Sequence, residues 1–223
     1  MATLQIASTG HRSYLILSTI ATACALVFQL SDIASMPVLG AASLLPVVLV
    51  CAIAGYPLLL VLRSRAIGGF GRLQVNWRSL AQLVALGAAL AVPPVVIDLL
   101  IPFPRDMNIA PPWALAFYPA IGFVAEVLFH LVPIAVFAII LPRRIPVIWL
   151  LLPAVFTEPV FQAYYSPGAT MQSWLVIGNV TLVSSVQLWL FQRHGFTAMI
   201  GLRIVFYLFW HIIWGSTRLA VLF

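Results

Sequence analysis

Six ionisable side chains interrupt the apolar stretches of this chain: Asp98, Glu126, His130, Glu158, Arg203 and His211, with the amides Gln162, Asn179 and Gln187 as helpers. Both glutamates of the protein and two of its four histidines belong to this set. Glu126 and His130 are four residues apart in Ala125-Glu126-Val127-Leu128-Phe129-His130, a spacing that stacks both side chains on one helix face. Carboxylates beside imidazoles fit two kinds of chemistry. In the first, a carboxylate activates water and an imidazole donates a proton or stabilises an oxyanion. In the second, nitrogen and oxygen ligands hold a metal. Glu126, His130, Glu158 and His211 form the candidate catalytic set, with Arg203 and Gln162 supporting it. The cofactor stays open between none and a divalent metal such as zinc on the same four residues. A haem held by His130 and His211 is a third option.

Each of these residues also has a structural reading. A transmembrane histidine serves as an interhelical hydrogen-bond partner, and Glu158, preceding Pro159, accepts bonds from backbone groups freed at a kink. Arg203 either snorkels to the interface or pairs with Asp98 or a glutamate. Asp98 lies near a helix end and reads as interfacial, while Trp210 and Trp214 flank His211 and pack around it.

The elements that must position these groups follow from composition. The chain has 223 residues, 63% hydrophobic and 7% charged, and its mean hydropathy is +1.11. Soluble domains are about a quarter charged, so these values describe an all-α, polytopic membrane bundle in one domain, 1–223, and exclude a soluble enzyme or a nucleic-acid-binding protein. Apolar runs near 13–30, 37–62, 79–101, 113–141, 146–164, 174–191 and 196–217 predict seven spans. At about 1.5 Å per residue, His130, Glu126, Glu158 and His211 sit roughly 17 to 24 Å deep from the arginine-rich side, in one layer.

All eleven basic residues are arginine. Arg63, Arg65, Arg72, Arg78, Arg143, Arg144 and Arg193 follow the second, fourth and sixth spans, against Arg12, Arg105 and Arg218 elsewhere, which predicts both chain ends outside the cell. The glycine-containing stretch 66–77 reads as a connector or a lid. Cys24 and Cys51, inside apolar runs, read as buried thiols, and Trp113, Trp149, Trp174 and Trp189 as interface belts.

The segment Gly122-Phe-Val-Ala-Glu-Val-Leu-Phe-His-Leu-Val-Pro133 resembles the first signature, Glu-Glu-x-x-x-Arg, of the CAAX prenyl endopeptidase and abortive-infection family of intramembrane proteases. Ala125 and Glu126 stand at its two glutamate positions and His130 at the arginine. A second signature, Phe-x-x-x-His, aligns with Phe156-Thr-Glu158-Pro-Val160, and a third, His-x-x-x-Asn, with His211-Ile-Ile-Trp-Gly215. The resemblance spans 113–217. It implies an endopeptidase cutting a peptide bond at the membrane, with Glu126 as water-activating base, His211 as acid or oxyanion donor, and His130 with Glu158 orienting water or holding metal. The implied partners are membrane lipids and a membrane-associated peptide or protein substrate, and the expected location is the plasma membrane. The alternative is a non-enzymatic membrane protein: a pseudoprotease scaffold or a small proton-coupled carrier. Cavity shape separates them, since a peptide hydrolase needs room at its carboxylates.

Overall fold

The computed structural model describes residues 2–71, 76–165, 168 and 170–223, without the side chains of 2–9 and 165; Arg72 and Ser166 lie outside the described residues. Among these residues the chain is helical, and seven helices are long and apolar enough to cross a membrane. They are α1 (Ala2–Phe28), α2 (Leu44–Ser64), α3 (Trp77–Leu100), α4 (Ala114–Ile140), α5 (Val147–Tyr165), α6 (Met171–His194) and α7 (Phe196–Val221). Their starts follow ordinary cap chemistry. The Asn76 side chain accepts from the Arg78 N–H, and the Thr170 hydroxyl accepts from Ser173, each satisfying a donor that the first helical turn leaves free.

Two expected boundaries move. The first helix begins at Ala2 rather than near 13. The second begins at Leu44 rather than 37, because Leu39 and Ala42 pair across a tight turn in which Gly40 adopts φ +59°.

The central helix is α4: 56% of its most apolar window is buried, against 28–44% for the other six. A central helix needs some side chains small enough to admit neighbours closely, and Ala114, Ala120 and Ala135 are wholly buried along it. Polar groups on α4 are therefore enclosed by protein rather than lipid.

The parity of seven spans places the N-terminus differently from the sequence expectation. Seven consecutive spans leave the two chain ends on opposite sides. His11 sits beside the end of α2, with Nδ1 3.0 Å from the Tyr56 hydroxyl, Nε2 3.3 Å from Arg63 and its ring 4.4 Å from that of Phe70. Arg12 thus joins the face carrying the connections after α2, α4 and α6, and only the C-terminus lies opposite. The correction sharpens the charge bias between the two faces, and the positive-inside rule predicts the arginine-rich one to be cytoplasmic.

The described part of the α2–α3 connection is docked rather than free. Ile67 and Phe70 are buried. The Gly69 carbonyl accepts from Phe196 N–H at 2.8 Å, and the Phe70 carbonyl accepts from Thr197 N–H and Oγ1 at 3.2 and 2.9 Å. Loop carbonyls thereby satisfy the free donors at the start of α7, where no side chain does so.

Candidate functional site

Two helices widen where the sequence places its polar residues. In α4 the segment Glu126–Leu131 is π-helical, and the Val132 N–H reaches back five residues to Val127. Pro133 has no N–H for the Phe129 carbonyl and its ring crowds that carbonyl, which a wider turn accommodates. In α7 the segment Leu208–Trp214 is π-helical as well, and the Gly215 N–H reaches Trp210. Glu126, His130 and His211 all lie within these wide turns.

Arg203 is the hub of the interior. Its Nε donates to Glu126 Oε1 at 2.6 Å, and its two terminal nitrogens donate to Glu158 Oε1 and Oε2 at 2.7 Å each. The remaining donors go to the Tyr207 hydroxyl at 3.2 Å and to Gln187 Oε1 at 3.1 Å. All five guanidinium N–H groups are consumed. Gln187 also donates to Glu126 Oε1 at 2.5 Å, and His130 Nδ1 lies 2.8 Å from Glu126 Oε2. Residues of α4, α5, α6 and α7 thus close one network. Glu126, His130 and Gln187 are fully buried, and Arg203 and Glu158 nearly so. Gly122, one turn before Glu126, lets the arginine pass: a Cβ there would lie 3.2 Å from Arg203 Cγ.

Arg203 therefore neither snorkels nor pairs with Asp98. Asp98 in turn is not interfacial. It is fully buried, takes 2.6 and 2.9 Å bonds from Arg218, and accepts from Trp214 Nε1 at 2.7 Å. Arg218 also donates to the carbonyls of Phe103 and Pro104. This clamp ties α3, the α3–α4 connection and α7 together at the face opposite the arginine-rich one.

His211 makes no hydrogen bond with the cluster. Its Nδ1 lies 2.7 Å from Asn108 Oδ1, its ring stacks on Tyr118 at 4.5 Å and meets Tyr207 edge-on at 4.8 Å. Ile109 N–H donates to the Tyr118 hydroxyl, which donates to Asn108 Oδ1 at 3.3 Å. That chain of donors leaves Oδ1 accepting, so His211 carries its proton on Nδ1 and presents Nε2 as the acceptor. Trp210 packs near His211, while Trp214 turns to Asp98.

Of the sequence-predicted residues, the structure brings together Glu126, His130, Glu158 and Arg203. His211 stands one layer away, with Tyr207 between. Gln162 lines a cavity beside the cluster. Among the described residues, no group of three or more His, Cys, Asp and Glu side chains is placed to hold a metal, and the Nδ1 atoms of His130 and His211 lie against Glu126 and Asn108 respectively.

The cavity, about 270 Å³, lies between α4 and α5 beneath residues 36–39 and reaches Glu158, Gln162 and Tyr207, not Glu126. Sequence reasoning missed Asn108, Tyr118 and Tyr207. Tyr207 carries a usable signal, four residues from both Arg203 and His211. Asn108 carries none, because a connecting segment has no period. No family model matches the chain, and no curated protein or solved structure matches it either.

Proposed function

We propose that the chain is a non-hydrolytic integral membrane protein of the CAAX protease-like kind, a pseudoprotease whose mid-membrane charges clamp four helices instead of activating water. One observation carries this reading: both oxygens of Glu126 are taken, by Arg203 and Gln187 on one side and His130 on the other, inside a fully buried site. A general base needs a lone pair facing water. The cavity supports the same reading, since it stops at Glu158. We place the protein in the plasma membrane, where an arginine-rich face suits an anionic cytoplasmic leaflet.

The test is proteolysis of co-expressed membrane substrates at matched expression. Wild type, Glu126→Gln and cells without the protein are expected to give the same fragments. Cleavage by wild type that disappears in Glu126→Gln overturns the proposal.

A second reading, the hydrolase, draws on His211, whose Nδ1 is held by Asn108 and whose Nε2 makes no hydrogen bond among the described residues. Under it Glu126 is the base, and Arg203 must first release one of its oxygens. Loss of such a base lowers the rate by about two to four orders of magnitude.

A further inference from the structure

All five acids of the chain lie away from the arginine-rich face. Asp32 follows α1, Asp98 and Asp106 belong to the far end of α3 and its connection, and Glu126 and Glu158 sit within spans. The guanidiniums of that face thus have no carboxylate in their own layer, and at one corner three of them gather. Arg65, just past the end of α2, reaches across to α4 and donates from Nη2 to the Leu141 carbonyl at 2.5 Å. Arg143 and Arg144, two and three residues further on, form the centre of a tight turn closed by the Ile145 N–H on the Pro142 carbonyl at 3.1 Å. Both are exposed, and among the described residues neither has a hydrogen-bond or ion-pair partner.

The corner also stands at the height of lipid headgroups. Trp149, in the first turn of α5, is exposed, as are Ile139 and Ile140 at the end of α4 and Ile148 beside the tryptophan. An exposed tryptophan at a span end marks the boundary between hydrocarbon and water, so arginines within a turn or two of it are level with lipid phosphates. We propose that the corner formed by Arg65, Arg143 and Arg144 binds a phospholipid whose headgroup carries two phosphate charges, with its chains along Ile139, Ile140 and Ile148. The guanidinium fork matches phosphate oxygens pairwise. A zwitterionic headgroup would bring an ammonium into a corner that has cations in excess, and a single phosphodiester would leave two of the three arginines unanswered. The site uses no residue of the polar cluster, so it is independent of whether the protein hydrolyses anything.

The experiment titrates the whole protein in an uncharged detergent with tetraoleoyl cardiolipin, with dioleoyl phosphatidylglycerol at equal total charge, and with dioleoyl phosphatidylcholine, and follows bound lipid by native mass spectrometry. Wild type is expected to take up one cardiolipin saturably, at least about fivefold more tightly than phosphatidylglycerol, and to show no preference for phosphatidylcholine. A basic residue at a membrane surface contributes about fivefold in affinity for acidic lipid. Arg144→Gln should therefore weaken cardiolipin binding about fivefold and the Arg143→Gln/Arg144→Gln pair by at least about tenfold. Both positions are exposed in a turn, so the variants should fold. Arg78→Gln, exposed at the start of α3, which packs on α6 and α7, removes the same charge from another part of the face and should change binding less than about twofold. Equal affinity for cardiolipin and phosphatidylglycerol at matched charge, binding unchanged in the double variant, or a loss in Arg78→Gln equal to that in Arg144→Gln overturns the proposal, the last because the charge then acts diffusely. Displacement of the lipid by inorganic pyrophosphate at equal concentration also overturns it, since a soluble diphosphate would then be the better ligand.

Discussion

The carboxamide of Asn108 occupies the space that a side chain on Gly215 would fill. A Cβ at Gly215 would lie 2.9 Å from Asn108 Nδ2 and 3.1 Å from Cγ, and the same carboxamide holds His211 Nδ1 at 2.7 Å. An asparagine four residues after the histidine is what the third protease-like signature calls for. Here glycine stands at that position, and a connecting segment delivers the amide from outside the helix.

This relationship predicts a swap. Asn108→Ala loses the histidine's partner, and Gly215→Asn pushes into the resident amide, each destabilising by about 1–3 kcal/mol. The double variant relieves the clash and returns an amide to the neighbourhood, so its loss should be smaller than the sum of the two. Thermal unfolding of the purified protein in detergent, followed by size-exclusion fluorescence, measures it. Additive losses would mean that the two positions are independent.

Removing the hub should be far more damaging than removing its charge partners with it. Arg203→Met leaves the buried Glu158 without its ion-pair partner and Glu126 with His130 and Gln187 alone, a loss of about 3–5 kcal/mol. Adding Glu126→Gln and Glu158→Gln to that variant should recover part of the folded fraction, because neutral amides are cheaper to bury than unpaired charges. A triple variant less stable than Arg203→Met would show that the carboxylates find other partners.

The face assignments predict labelling. Cysteine at the exposed Ser64 position and an N-terminal tag should be shielded together from a membrane-impermeant maleimide or protease applied outside intact cells, while cysteine at the exposed Asp106 position should react. Reaction at Ser64, or accessibility of the tag alone, contradicts the arrangement.

Phe70 should anchor the α2–α3 connection. It is 3% exposed, among His11, Tyr14 and Tyr56, and Phe70→Ala should destabilise by about 3–5 kcal/mol. Faster proteolysis within residues 63–78 would accompany that loss, and unchanged cleavage would mean that the backbone bonds to Phe196 and Thr197 suffice.

The helices were legible because a bilayer demands about 20 apolar residues per span, and all six ionisable interruptions of the apolar runs turned out to carry a polar contact. The convergence of Glu126, Glu158 and Arg203 followed from the expense of burying any of them alone. What the pattern could not supply was the partner. Depth estimated from straight helices put His211 in the same layer as Glu126, yet both helices contain wide turns, and one turn of offset is enough to exchange a carboxylate for Asn108. Asp98 looked interfacial because it sits near a helix end, but its partner Arg218 lies 120 residues away, beyond the reach of any local period. Side was misjudged at the N-terminus by counting Arg12 against the wrong loops, which the parity of seven spans corrects.

The order of the charges along the chain has a consequence for assembly. Glu126 and Glu158 both emerge from the ribosome before Arg203, whose helix is the last of the seven. Until α7 enters, the nascent protein carries two acidic groups in the membrane without Arg203 opposite them. The last helix therefore completes the pairing of both acids, and a chain halted before residue 203 should be degraded faster than the full one because its acids lack that partner.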